Sequence, residues 1–491
     1  MVMAPSLPEL DTLRARWRDA VSRATPGRPI LVSVGVTLPA ADPLDLFAHV
    51  AGTARDRFYW ERPADGVAFA GVGAAWTVES ASPVEAGRAW RALLAEAVVR
   101  APSFARDAEG AGGGGDAPDA MDGPLLTGGF AFDPLRPATT LWAGYPAGRL
   151  TLPRLTLVTR GGRSTLTVNA VAANKGAHDH DIDALIGDVE DMLAVPAATR
   201  APGSLVGRAG ARVEDALSRA GWEALVARGV RACREGALRK VVLARSARMY
   251  APVGAGLDVT AALRFARETY PNAYTFAVAH DEGTFLGATP ERLARLHDGV
   301  ADVACLAGST ARGATPEEDR ARGDLLLASP KDRAEHRFVV DAVRAALADV
   351  CPDLQVPAAP RLLRLQNVQH LYTPVTGRVA AGKGLLDLVA RLHPTPAVGG
   401  QPREEALAYI RAHEDLDRGW YAAPVGWLNS RGEGEFAVAL RSALVRGDRA
   451  TLFAGCGIVA GSSPAAEYEE TRLKLRPMLA ALGARQGATE T

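Results

Sequence analysis

The sequence predicts an α+β chain whose sheets pack together with helices outside. Strand-like runs crowd the first half, helices and strands mix through the second, and 491 residues at 48% hydrophobic content give ample core. Residues 1–28 read as an N-terminal extension, poorly ordered or helical, with an amphipathic stretch near Leu7–Val21. Strand patterns follow at Ile30–Val36, Arg57–Pro63 and Gly66–Gly73, bounded by Pro and Gly. Pro83–Arg100 has helical periodicity. Residues 108–123 form a Gly-rich loop. Strands resume at Leu126–Phe132, near Leu150–Thr159 and at Ser164–Val171; Asp181–Leu193 reads as a helix and Pro196–Gly210 as a linker. The chain thus divides into residues 29–212, residues 213–483 and a tail, 484–491. The second part opens with a helix, Glu214–Glu235, then a short apolar strand with charged ends, Arg239–Arg245.

The 56 basic and 56 acidic side chains balance, so charge gives no argument for nucleic acid or a membrane surface as partner. No apolar run approaches the roughly 20 residues of a spanning helix. The first residues lack the basic-then-apolar pattern of a signal peptide, and the expectation is a cytoplasmic protein. Cys233, Cys305, Cys351 and Cys456 are scattered, which suits free thiols better than disulfides or zinc. Walker A, G-x-G-x-x-G after a strand, H-E-x-x-H and G-x-S-x-G are all absent, which argues against the common NTPase, dinucleotide, zinc-protease and hydrolase classes.

The most informative stretch is Phe453–Lys474, a Gly-rich turn followed by a helical pattern carrying Glu467, Glu470 and Lys474. Asp332 and Glu335 repeat the same acid spacing on another predicted helix. Residues three apart share a helix face. Each pair alone reads as a solvated face; two pairs together suit a hard divalent cation such as Mg²⁺, which would in turn hold an anionic substrate. Lys240, heading its strand, is either simply exposed or a partly desolvated amine able to act as a general base. Glu291, in a Thr-Pro-Glu step, is either the acidic first turn of a helix or a carboxyl that burial turns into a general acid. Arg441 interrupts the apolar strand Phe436–Val445: solvent-facing on an edge, or buried and in need of an anion such as a carboxylate. His370 reads as a core histidine. Gly308, Gly455 and Gly457 are turn glycines or points of close backbone approach to a ligand.

Taken in order, eight segments resemble the chorismate-utilising enzymes, and among them the isochorismate synthases. They are KVVLAR from Lys240, GATPER from Gly287, LAGSTARG from Leu306, KDRAEH from Lys331, HLYT from His370, LHPTPAVGG from Leu392, YAAPVGW from Tyr421 and GCGIVAGSSP from Gly455. The resemblance implies two packed antiparallel sheets with helices outside, and chorismate bound through Mg²⁺. It makes residues 213–483 the chorismate-binding region and 29–212 the variable half of the same fold. It makes Glu335 and Glu470 the metal ligands, with Asp332 and Glu467 in an outer shell. Lys240 becomes the base that activates water and Glu291 the acid that protonates the departing 4-hydroxyl. Arg441, Lys474, Gly455 and Gly457 would hold substrate carboxylates; His370, Gly308, Ser309 and Thr395 would line the substrate pocket.

The ammonia-using relatives usually carry Gln where Lys240 stands, so Lys implies water as nucleophile and no glutamine amidotransferase subunit. Aminodeoxychorismate synthases carry a nucleophilic Lys where Ala307 stands. The resulting expectation is conversion of chorismate to isochorismate, for menaquinone or a catechol siderophore, by a monomer or homodimer. Salicylate synthase, which goes on to eliminate pyruvate, and a catalytically silent chorismate-binding subunit are the alternatives.

Overall fold

The computed structural model describes residues 7–23, 29–52, 54–100, 121–172, 182–187, 211–364 and 368–484. Two sheets dominate it. The 13-stranded sheet runs in space Arg212–Asp215, Lys240–Tyr250, Arg449–Ile458, Ser442–Arg446, Gly283–Thr289, Tyr274–His280, Arg57–Arg62, Val67–Val72, Leu155–Arg160, Arg163–Ala172, Ile30–Leu38 and Val98–Arg100; Gly400–Gln401 adds to Lys240–Tyr250 off this path. The nine-stranded sheet runs Arg361–Arg364, Val368–Arg378, Val300–Ala311, Arg292–His297, Gly434–Val438, Pro424–Leu428, Leu126–Phe130, Gly148–Leu152 and Trp76–Glu79. Their pairings are antiparallel except for Ile30–Leu38 with Val98–Arg100. The α+β expectation holds.

The sheets meet through aromatic side chains. Phe69 of the larger and Trp427 of the smaller pack edge-on at 6.0 Å, inside a buried cluster that also holds Trp60, Trp90, Trp142, Phe276, Phe285 and Phe436. Burying such a side chain contributes roughly 1.5–3 kcal/mol, so this layer ties both halves of the chain into one core. Helix Leu7–Arg23 packs on Ile30–Leu38 through Trp17 and Ala20. Helix Pro330–Leu347 lies on Val300–Ala311, and helix Pro464–Ala481 on Arg449–Ile458.

Several boundaries differ from expectation. The helix from Pro83, capped by the Ser82 hydroxyl on the Glu85 amide (3.3 Å), stops at Leu94. Val98–Arg100, rich in β-branched residues, joins the sheet instead. Glu214 belongs to strand Arg212–Asp215, opposite Arg248, and the helix starts only at Arg219 behind its Ser218 cap. The 150–159 stretch is two strands of different sheets, broken at Pro153, which lacks a ladder donor. Residues 182–187 are helical. The rest of that predicted helix, the linker, most of the 108–123 loop and the tail beyond residue 484 lie outside the described residues.

Two chain crossings between the sheets matter most. Gly283–Thr289 passes through Pro290 and Glu291 into Arg292–His297. Gly434–Val438 passes through residues 439–441 into Ser442–Arg446. The crossings are bonded to each other: the Val438 amide donates to the Glu291 carbonyl (2.9 Å), the Thr289 hydroxyl to the Val438 carbonyl (2.6 Å) and the Ala288 amide to the Arg441 carbonyl (3.1 Å). Glu291 therefore enters a strand rather than a helix. Arg441 lies between strands, not within one, with φ 48°, a left-handed backbone that ends regular pairing.

Candidate active site

A cleft of about 1700 Å³ opens beside these crossings. Lys240, Glu291, Gly308, Ser309, Glu335, His370, Arg441, Gly455, Gly457, Glu467, Glu470 and Lys474 all line it. Residues spread over 235 positions of sequence thus face one space. Asp332 and Thr395 are not among the wall residues.

Lys240 is the first residue of strand Lys240–Tyr250, whose neighbour is Arg449–Ile458. Its side chain crosses Gly457: a Cβ there would meet Lys240 Cε at 2.6 Å and Nζ at 3.3 Å. Glycine at 457 is the condition for the lysine's path. Lys240 Nζ stands 3.9 Å from Glu335 Oε1, and its side chain is 23% exposed. At Gly455 an added Cβ would strike the Leu243 carbonyl at 2.7 Å, with the Tyr421 hydroxyl at 3.3 Å.

Glu291 is held by its Pro290 crossing, its amide donating to the Thr289 hydroxyl (3.2 Å). Burial raises its pKa, against the opposing pull of Lys240, Arg441 and Lys474. Desolvation wins, which keeps a proton on the carboxyl to higher pH than usual. Burial also lowers the Arg441 pKa, although Tyr421, Glu291 and Glu470 favour its charge. Arg441 is thus a poorly solvated cation facing a cleft, suited to an incoming carboxylate. Lys474 Nζ is fixed by the Gly455 carbonyl (2.9 Å) and Glu470 Oε1 (2.6 Å), one turn back on its helix.

Gly308 interrupts the pairing of Val300–Ala311 with Val368–Arg378: the register shifts between Ala307 and Ser309, and Gly308 has φ 75°. Such a bulge re-aims the following side chain. The Ser309 hydroxyl thereby meets His370 Nδ1 at 2.7 Å. Burial, with Arg441 adding to it, lowers the His370 pKa and favours the neutral ring.

Both acid-bearing helices begin Ser-Pro. Ser329 accepts from the Asp332 amide (3.2 Å) and also bonds the Asp332 carboxylate, so Asp332 serves the helix start; a Cβ at Gly308 would lie 3.2 Å from Asp332 Cβ. Glu335 and Glu470 are 43% and 49% exposed at the side chain. Glu335, from one helix, and Glu467 and Glu470, from another, offer hard oxygen donors to the cleft, a donor type that fits Mg²⁺, an ion that takes one or two protein carboxylates and completes its shell with substrate and water. Among the described residues the tight three-donor cluster lies elsewhere, at His297, Asp298 and Glu433.

The 393–400 loop borders the cleft through Ala397 and Val398. The Thr395 carbonyl accepts from the Val398 and Gly399 amides (3.1 and 2.9 Å), while its hydroxyl is buried without a partner. Sequence reasoning missed Arg418, which also lines the cleft, and its buried partner Glu414. Their i, i+4 spacing was the available signal, but that spacing is common on solvated helix faces. All four cysteines are free and buried. No helix among the described residues is long and apolar enough to cross a membrane.

Comparison with known proteins agrees with this geometry. Residues 17–483 match the family described as "Chorismate binding enzyme". The chain is 39% identical to the salicylate biosynthesis isochorismate synthase of Pseudomonas aeruginosa, over 99% of this chain and 98% of that one. It is 37% identical to isochorismate synthase MenF of Bacillus subtilis, over 74% of this chain and 75% of the relative. The solved structure of MenF, the menaquinone-specific isochorismate synthase of Escherichia coli, superposes with a TM-score of 0.72 at 27% identity, covering 96% of this chain and 100% of that one. Anthranilate synthase component I of Streptococcus pneumoniae shares the fold, with a TM-score of 0.64 at 20% identity over 93% of each chain. The chain belongs to the chorismate-binding enzymes.

Proposed function

We propose that this protein is an isochorismate synthase that interconverts chorismate and isochorismate. The observation that carries the reading is that Lys240 and Glu291 line one cleft, an amine together with a buried carboxyl whose pKa burial raises. Lys240 takes a proton from water as the water oxygen bonds to ring carbon 2. The ring double bonds shift, the bond from carbon 4 to its hydroxyl breaks, and Glu291 gives that oxygen a proton. One water enters and one leaves, so the step balances without a redox partner. Arg441 and Lys474 hold the substrate carboxylates, and neutral His370, oriented by Ser309, lies against the ring. Orientation and fixed charge do most of the work.

Glu335 and Glu470, with Glu467 and Asp332 behind them, are the residues that would hold Mg²⁺. When bound, the ion supplies positive charge against the ring carboxylate. At position 307 the chain has Ala, which offers no nucleophile, and Lys240 favours water over ammonia. The isochorismate is proposed to feed menaquinone biosynthesis; the end-to-end likeness to a relative named for salicylate biosynthesis favours, as a second reading, release of isochorismate toward salicylate.

Turnover in ¹⁸O-labelled water tests the chemistry. The label should appear in the carbon-2 hydroxyl of isochorismate and not in its carboxylates. Salicylate with equimolar pyruvate would move the chain to salicylate synthases, and unlabelled isochorismate would remove water as nucleophile.

A further inference from the structure

We propose that the Glu414–Arg418 ion pair acts as a side-chain splint in place of a missing strand, and that Arg418 is thereby a positioning residue for Lys240. The inference rests on the isochorismate synthase reading of the cleft. Strand Lys240–Tyr250 is covered on one edge along its whole length by Arg449–Ile458. Its other edge is covered only at the ends: Gly400–Gln401 pairs with Lys240 and Val241, and Arg212–Asp215 pairs with Ala247 to Tyr250. Between them lies a gap where backbone groups have no strand to bond. Such groups, once buried, need partners.

The ion pair fills that gap. Glu414 Oε2 accepts from the Ala244 amide at 2.8 Å. Arg418 Nη2 donates to the Val242 carbonyl at 2.7 Å, and Nη1 to the Val398 carbonyl at 3.0 Å. Arg418 Nε and Nη2 each reach Glu414 at 2.7 Å. The side chains are 3% and 1% exposed, and the guanidinium sits 4.2 Å over the Phe132 ring. The Val242 amide donates to the Gly399 carbonyl at 2.9 Å, so the same point of the strand is tied to the 393–400 loop twice. Only a planar fork with several donors can serve a carboxylate and two carbonyls at once. Val242 and Ala244 stand two and four residues beyond Lys240 on a continuous strand. The splint therefore fixes the backbone that carries the base.

The test uses Arg418→Lys, which keeps the charge but not the fork. A second variant, Glu414→Met with Arg418→Met, replaces the pair by apolar groups, an exchange buried ion pairs often tolerate. Hydrogen exchange should be faster at the Ala244 amide in both variants, with the Met249 amide unchanged. In Arg418→Lys, kcat should fall at least about tenfold while KM for chorismate stays within about threefold, because the carboxylate clamps are intact. In a Gly457→Ala background, where the added methyl at 2.6 Å already displaces Lys240 Cε, the same change should cost less than about threefold more. Unchanged Ala244 exchange overturns the splint whether or not the wild type turns over. Equal losses of kcat in both backgrounds overturn the link to Lys240. Wild-type turnover in the same series judges the reading of function separately.

Discussion

Gly457→Ala is the sharpest probe of how this cleft is built. The added methyl would sit 2.6 Å from Lys240 Cε, where carbon–carbon contacts settle at about 3.5–4.0 Å. Lys240 must therefore retreat by about 1 Å, and a displacement of that size costs about 10²-fold in rate. That corresponds to about 2.7 kcal/mol in the barrier. The clash is with the far end of a flexible side chain, and Gly457 has no positive φ, so stability should change by less than about 1 kcal/mol. Gly455→Ala is the matched control: its methyl meets the Leu243 carbonyl at 2.7 Å, backbone that cannot step aside, so it should lower Tm instead. The assay is initial rate of isochorismate formation by chromatography, alongside thermal unfolding. A Gly457→Ala protein that folds normally and keeps kcat within about threefold of wild type would show that the position of Lys240 does not limit the reaction.

Lys240→Ala should abolish turnover while chorismate still binds; a near-normal rate removes Lys240 from the mechanism. Glu291→Gln should lower kcat by about 10²–10⁴, the usual worth of a positioned acid. Because burial raises the Glu291 pKa, the folded protein holds that proton more tightly than the unfolded chain does. Stability from this group is full below the ordinary carboxylate range and declines as pH rises through the raised value. Gln escapes that loss, so Glu291→Gln should have a higher Tm than wild type at neutral pH, the difference closing near about pH 4. A lower Tm at neutral pH would mean the cations around Glu291 outweigh its burial. Glu470→Ala should weaken Mg²⁺ binding and activation together; unchanged metal affinity, measured by titration calorimetry, means the ligands lie elsewhere.

How far the sequence reached depended on whether a feature was local. Alternation and Pro/Gly punctuation placed the strands around Ile30, Arg57 and Val67, and helical periodicity placed the helix at Pro83. Ends were harder, since Val98–Arg100 and Arg212–Asp215 become strands only because distant strands are there to pair with them. At Arg441 the apolar pattern continues across a point where the chain changes sheets, and only the backbone geometry reveals it. Most site residues were legible in short motifs at separated places in the sequence, and the fold brings most of them to one cleft. Thr395 is a different case: its neighbours Ala397 and Val398 reach the cleft and it does not. Glu414 and Arg418 carry no local signal beyond their i, i+4 spacing, because their burial depends on a gap in a strand edge some 170 residues away.

The most direct measurement is chromatography of the products formed from chorismate by the purified protein, with and without Mg²⁺. A Mg²⁺-dependent mixture of chorismate and isochorismate, reached from either side, is the expected result. No conversion under either condition, or salicylate with equimolar pyruvate, would contradict isochorismate synthesis as the activity of this chain.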